Sequence, residues 1–239
     1  MLPQARRSTP DREVTQHILD RPVWHALATR QARFAVGDGA ARRFAGDIGP
    51  LAGVRDESDE SLNDLARLLP HEGVLALFAN ADDPLPSGAF LERGREGVQM
   101  VATARFGEQS AEGLLALGDD DAPEMLVLAL LTEPGPFAAG THRLSQFWGI
   151  RENGRLVAMA GERLQLTGYS EVSGVCTHPD HRGRGHAVRL LKFVAAQIEA
   201  RGETPILHSY AANTGALKLY ETLGFETRRS FTFKFVRRN

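Results

Sequence analysis

The stretch from Val175 to Ala187, VCTHPDHRGRGHA, constrains this chain more than any other. Val175-Cys176-Thr177 ends an apolar strand, and Arg182-Gly183-Arg184-Gly185 is a glycine-rich turn. From there Ala187, Leu190, Leu191, Val194 and Ile198 recur at helical spacing until Gly202. A strand that feeds a helix through so short a loop belongs to the α/β class. The loop also aims several free backbone N–H groups and the positive end of the helix dipole at one point, which is a phosphate-binding arrangement. Gly183 and Gly185 permit unusual φ and close approach, Ala187 keeps the first turn slim, and Arg182 and Arg184 add positive charge. The spacing is neither G-x-G-x-x-G nor the mononucleotide loop that ends in Gly-Lys-Ser/Thr. Taken alone, the loop also fits an ordinary tight turn.

The flanking sequence supplies the remaining elements. Phe147 to Ile150 and Leu156 to Gly161 bracket Asn153-Gly154, a strong hairpin signal. Glu171 to Thr177 and Pro205 to Tyr210 read as strands, Thr214 to Leu223 as a short helix closed by Gly224, and Phe231, Phe233 and Phe235 as one face of a last strand. Upstream, Gly118 to Pro123 combines a flexible residue, three aspartates and a proline, and Asp121 with Glu124 has capping-box spacing ahead of a helix over Met125 to Leu131. A boundary placed there divides the chain into 1–120 and 121–239. The first part reads as mixed α/β: helices over Asp11 to Leu19, Pro22 to Arg30 and Ser58 to Leu69, strands over Gly73 to Phe78 and Val98 to Phe106, and a turn at Gly37 to Ala41.

Composition narrows the function. At 239 residues and 42% hydrophobic content the chain can fill one large core or two smaller ones. A net charge of -2 supplies no positive field for nucleic acid or an anionic membrane, and no apolar stretch reaches the roughly 18 residues of a membrane span. Cys176, the single cysteine, excludes an internal disulfide and any site of several thiolates. His178 and His181 lack a carboxylate at ligand spacing, so no metal is expected. These features point to a cytoplasmic protein without nucleic-acid or membrane partners, a monomer or homodimer.

The segment Val175 to Ala187, with Arg182, Gly185 and Ala187 in an R-x-x-G-x-G/A core, resembles motif A of the GCN5-related N-acetyltransferase (GNAT) family, and Asn213 to Phe225, NTGALKLYETLGF, resembles its motif B. The resemblance spans Pro123 to Asn239 and is closest to the branch of FR47-like proteins and the glycine N-acyltransferase C-terminal domain. It implies an α/β (α+β) fold, a mixed twisted sheet flanked by helices, here preceded by a second α/β unit that reads as a candidate degenerate copy. It implies acetyl-CoA, or coenzyme A, as co-substrate, with an acetyl or other short acyl group passing to a primary amine of a small molecule or peptide by direct attack in a ternary complex. The backbone of Val175, Cys176 and Thr177 would meet the pantetheine arm. The amides of Arg182, Gly183, Arg184, Gly185, His186 and Ala187 would meet the pyrophosphate. Asn213 matches a position that touches the arm, and is equally a helix N-cap. Tyr220 matches the position that donates a proton to the departing thiolate, and otherwise is a packed tyrosine.

A general base is less legible. A lysine-like amine, with a pKa near 10.4, is neutral in about one molecule in 2,500 at pH 7, a cost of ~4.6 kcal/mol, against ~1.4 kcal/mol for an α-amine near 8. Glu171 shares strand parity with Val175 and Thr177, and Glu162 stands at the end of the preceding strand, which makes both candidates. Either is also readable as a solvated strand-end carboxylate. The rival class is a catalytically silent module that binds CoA or acyl-CoA. Pro134 to Arg143 lies where relatives place acceptor-facing loops.

Overall fold

The structure is a computed structural model and describes residues 17–239. The helix expected over Asp11 to Leu19 lies outside the described residues up to position 16, and its end is a 3-10 turn over Ile18–Asp20. In chain order the elements are α1 (Pro22–Ala28), β1 (Ala35–Val36), β2 (Ala41–Phe44), β3 (Leu51–Val54), α2 (Asp59–Arg67), β4 (Leu75–Ala79) and β5 (Ala89–Ala102). They continue with β6 (Leu115–Leu117), α3 (Ala122–Thr132), β7 (Phe147–Glu152), β8 (Arg155–Leu166), β9 (Tyr169–Thr177), α4 (His186–Ala200), β10 (Thr204–Tyr210), α5 (Thr214–Thr222) and β11 (Phe225–Arg238).

All of these strands join one mixed sheet in the order β1-β2-β3-β4-β11-β5-β10-β9-β8-β7-β6. β5, from the first part of the chain, lies between β10 and β11 and is antiparallel to both. The segments on either side of position 120 therefore share one hydrogen-bonded ladder.

The local signals explain most of these elements. Asn153 and Gly154 both take positive φ, 52° and 81°, which is the twist a two-residue hairpin needs. Gly37, at φ 99°, turns the short hairpin of β1 and β2. Ser58 caps α2 by accepting from the Ser61 amide at 3.3 Å. The capping box read at Asp121 and Glu124 does not form. Asp121 instead accepts from the Gly118 amide at 2.9 Å and pairs with Arg151 at 2.6 Å, while Glu124 pairs with Arg151 at 2.5 Å.

Two faces of the sheet carry separate cores. On one, Leu190, Leu191, Val194 and Ile198 of α4 pack on Val157, Ala158, Ala160 and Val172, with Leu217 and Tyr220 of α5 at the margin. On the other, α1 packs with Leu164, Leu166, Ile206, Phe231, Phe233 and Phe235, and α3 packs with Met159, Phe147 and Cys176. Lys234, which alternates with the phenylalanines of β11, is buried as well and donates its ammonium to the Asp83 carbonyl at 2.6 Å.

Candidate active site

The site begins where two parallel strands part. β9 and β10 pair only through Tyr169–Glu171 and Thr204–Ile206. Beyond Glu171 the β9 ladder runs to β8 alone, and beyond Ile206 β10 pairs only with β5. The facing edges of Val175–Thr177 and Leu207–Tyr210 thus hold unpaired backbone groups, an opening that an extended arm can enter as an extra strand.

At the mouth of that opening lies a groove of about 560 Å³. Val175, Cys176, Thr177, the run His181 to Val188, Asn213, Leu219 and Tyr220 line it, with Thr132, Glu133 and Pro134 on the far side. Every residue assigned to cofactor contact in the sequence is in this lining. Among the described residues, the N–H groups from Gly183 to Val188 donate to no backbone carbonyl, and Arg189 is the first to do so, to Gly185 at 3.0 Å. Gly185 sits at the N-cap with φ 80° and provides no side-chain cap, and Gly183 has φ 76°. A Cβ on either glycine would meet no atom within 4 Å, so the open side of the turn is free for a ligand's oxygens.

Charge around the loop is arranged by one carboxylate. Glu152, at the end of β7, pairs with His181 at 3.0 Å, Arg184 at 2.7 Å and His186 at 3.0 Å. Arg184 is thereby partly neutralised, while Arg182 forms no ion pair among the described residues. Desolvation opposes ionisation of Glu152, yet hydrogen bonds from His181 and His186 and the Arg184 charge hold its carboxyl below the ordinary range.

The deeper part of the groove is drier. The Thr177 hydroxyl is buried without a hydrogen-bond partner, and Thr177 faces the groove, so an amide or carbonyl of a bound arm would satisfy it. Burial pushes the Tyr220 phenol up, which keeps it protonated and able to donate. Asn213 performs the capping role, accepting from the Ala216 amide at 3.3 Å, while its exposed side lines the groove. The Cys176 thiol is buried against Met159 and Phe147, and that burial raises its pKa to about 11, an apolar packing group and not a nucleophile.

The two candidate bases are placed elsewhere. Glu162 lies inside β8, on the α4 face, and pairs with Arg201 at 2.6 Å. Arg201 follows the last residue of α4, whose 15 residues put that end roughly 22 Å from the glycine-rich turn. Glu171 is fully buried and does not line the groove. Strand parity misplaces it because β9 carries an extra residue: Met159 pairs with Cys176 but Gly161 with Ser173. Gly174, at φ 63°, takes up that bulge, so Val172 and Val175 share one face, three residues apart. Glu171 faces the other way, where Arg163 grips it at 3.0 and 2.5 Å and His208 bonds it at 2.9 Å. Burial disfavours its charge, but the Arg163 guanidinium and His208 bring its pKa down to about 2.

A carboxylate that sequence reading passed over is better placed. Glu133 ends α3 in the left-handed region, φ 47° and ψ 53°, uncommon for a residue with a Cβ. It lines both the groove and an adjoining cavity of about 350 Å³, bounded also by Arg93, Arg95, Leu130, Phe137, Tyr210 and Phe235. The only signal in the sequence was Glu133-Pro134-Gly135 directly after a helix, at the edge of the expected acceptor-facing loop. Arg93 and Arg95 had no signal, because the polar start of β5 does not read as a strand. A separate cavity between α1, α2 and β4 holds about 50 Å³, too little for a ligand of this kind.

A mixed sheet split between two parallel strands, with an uncapped glycine-rich turn at the opening, defines an α/β protein with an open cleft beside free backbone amides. Residues 147–234 match the family described as FR47-like protein. The chain is 43% identical to a candidate acetyltransferase of the GNAT family from Novosphingobium aromaticivorans, over 94% of its own length and 100% of that protein's, with a TM-score of 0.87. It belongs to the GNAT family. A GCN5-related N-acetyltransferase from Kribbella flavida (15% identity, 90% and 95% of the two chains, TM-score 0.57) and a Drosophila protein (16%, 83% and 73%, 0.58) share the fold. No curated protein matches the chain. No helix of the described residues is long and apolar enough to cross a membrane.

Proposed function

We propose that this protein transfers an acetyl group from acetyl-CoA to a primary amine within a ternary complex. The observation that carries the reading is the parting of β9 and β10 beside the uncapped turn at Gly183 to Gly185, with the unpartnered Thr177 hydroxyl and the protonated Tyr220 phenol in the same groove. The pyrophosphate would sit on the amides of Gly183 to Val188, and the arm would run along Val175–Thr177. The amine nitrogen attacks the thioester carbonyl, the carbon–sulfur bond breaks, and sulfur takes a proton from Tyr220. With reference values near 8.5 for a thiol and near 10 for a phenol, and burial raising Tyr220 further, that transfer is uphill, so the hydroxyl acts chiefly by hydrogen bonding to the developing thiolate.

The proton leaving the amine needs an acceptor on the opposite side of the thioester. Glu133 borders both the groove and the adjoining cavity, so we assign it that role, directly or through water. Residues 1–120 would then act as the wall of the acceptor side, through β5. A silent CoA-binding module is the second reading, and it is favoured by the engagement of Glu162 and Glu171 in ion pairs. Release of free CoA from acetyl-CoA across a panel of amines separates the two. The enzyme reading expects steady release with some amine, a fall of about tenfold or more in kcat for Tyr220→Phe and for Glu133→Gln, and little change in CoA affinity for Glu133→Gln. Tight acetyl-CoA binding without release for any amine supports the silent module.

A further inference from the structure

The acceptor cavity has an unusual charge pattern. Arg93 and Arg95 stand two apart on β5, so their side chains leave the same face, with Cα atoms about 7 Å apart. Neither forms an ion pair or a hydrogen bond to a carboxylate among the described residues, unlike Arg237 of the neighbouring strand, which pairs with Glu92 at 2.6 Å. Each guanidinium is instead held over an aromatic ring, Arg93 at 4.2 Å from the centroid of Phe235 and Arg95 at 5.1 Å from that of Tyr210. The ring contact holds each exposed side chain near the cavity, and its N–H groups have no carboxylate partner among the described residues. Among the described residues, Glu133 is the one carboxylate in the cavity lining, and it lies at the junction with the cofactor groove. Leu130, Pro136, Phe137, Tyr210 and Phe235 supply an apolar surface between.

From this arrangement we propose that the acceptor is a small amine that carries a carboxylate on an apolar body, an amino-acid-like molecule whose carboxylate is held by Arg93 and Arg95. Two neighbouring guanidinium groups without a protein counter-ion among the described residues suit a planar anion, which accepts paired N–H bonds. The single acidic group stands on the groove side, so the amine end is directed toward the thioester and the anionic end away from it. A cavity of about 350 Å³ is of small-molecule size. The inference rests on the proposed acetyl transfer for its direction, since that reading places the amine at the groove.

Binding tests it without requiring turnover. Calorimetry on the full chain saturated with CoA compares leucine, phenylalanine and tyrosine with isoamylamine, phenethylamine and tyramine, which keep the amine and body but lack the carboxylate. The three amino-acid amides separate the negative charge from size. At least one amino acid is expected to bind about ten- to a hundredfold more tightly than both its amine and its amide, the scale of a charged hydrogen-bonded contact. Arg93→Met and Arg95→Met should remove that preference and leave CoA affinity intact. Equal or weaker binding of every amino acid, absence of binding by all of them, or a preference that survives both substitutions overturns the inference. Acetyl transfer to amines with no carboxylate preference would retain the enzyme reading and discard this one; carboxylate-dependent binding without transfer would do the reverse.

Discussion

Gln99 fixes the protonation state of its neighbour His208. Its amide nitrogen donates to the Leu19 carbonyl at 2.9 Å and its amide oxygen accepts from Arg228 at 2.9 Å, so the nitrogen is the only group left to meet His208 Nε2, also at 2.9 Å. Nε2 must then accept, which puts the imidazole proton on Nδ1, from where it is donated to Glu171 Oε1. The neutral ring is satisfied on both sides, and a second proton would set two donors against each other. Burial lowers the His208 pKa, and the Arg163 and Arg229 charges lower it further against the pull of Glu171. Both His208 and Glu171 therefore bind fewer protons when folded than when unfolded, so both contribute stability that is present at higher pH and lost on acidification. The His208 share fades as pH falls below about 6.5, and the Glu171 share between about 4.5 and 2. A melting temperature that declines from pH 7 to 5.5, with a flatter profile in His208→Gln, is expected. Parallel profiles for the two proteins would exclude the histidine as the cause.

Among the elements, motifs and bulges differ in how well they can be read. The Asn153-Gly154 hairpin, the amphipathic α4 and the phenylalanine alternation of β11 were legible because each depends on local chemistry or a strict period. Strand parity failed at Glu171 because one extra residue at Gly174 reverses the face of everything before it, and a lone glycine in a strand does not say which side its bulge takes. The first half of β5 was unreadable since Glu92-Arg93-Gly94-Arg95-Glu96 has neither the apolar alternation nor the β-branched residues of a strand. The glycine-rich turn yields a test that separates folding from binding. In Gly185→Ala the new Cβ meets no protein atom, so the loss of stability should be only the backbone term of about 1–2 kcal/mol at a left-handed position. CoA affinity should nevertheless drop by about tenfold or more, since the methyl projects into the open side of the turn. A titration showing unchanged CoA affinity would move the phosphate site away from this loop.

For the whole molecule, the position of β5 governs what can be separated. β10 and β11 are not neighbours, and each is paired to β5 along much of its length. A chain restricted to 121–239 would leave two strand edges and the faces of Phe231, Phe233 and Phe235 without cover. We expect that fragment to show no cooperative unfolding transition by circular dichroism, and to gain one when residues 1–120 are supplied in trans. A sharp transition for the fragment alone would mean that the second segment folds without its central strand. No sequence motif announces this dependence, because pairing between strands more than a hundred residues apart leaves no local trace.

The placement of β5 also sets a schedule for the protein's manufacture. Ala102 leaves the ribosome well before Phe225, the first residue of its long partner, and at about 5–20 residues per second the delay is on the order of ten seconds. Until Thr204–Tyr210 emerge, late in that interval, the 14-residue strand has neither lateral partner, so its exposed edges must stay soluble without them. The arginines and glutamates from Glu92 to Glu96, which leave that strand so hard to recognise, are the kind of residues that keep a waiting edge from pairing with the wrong chain.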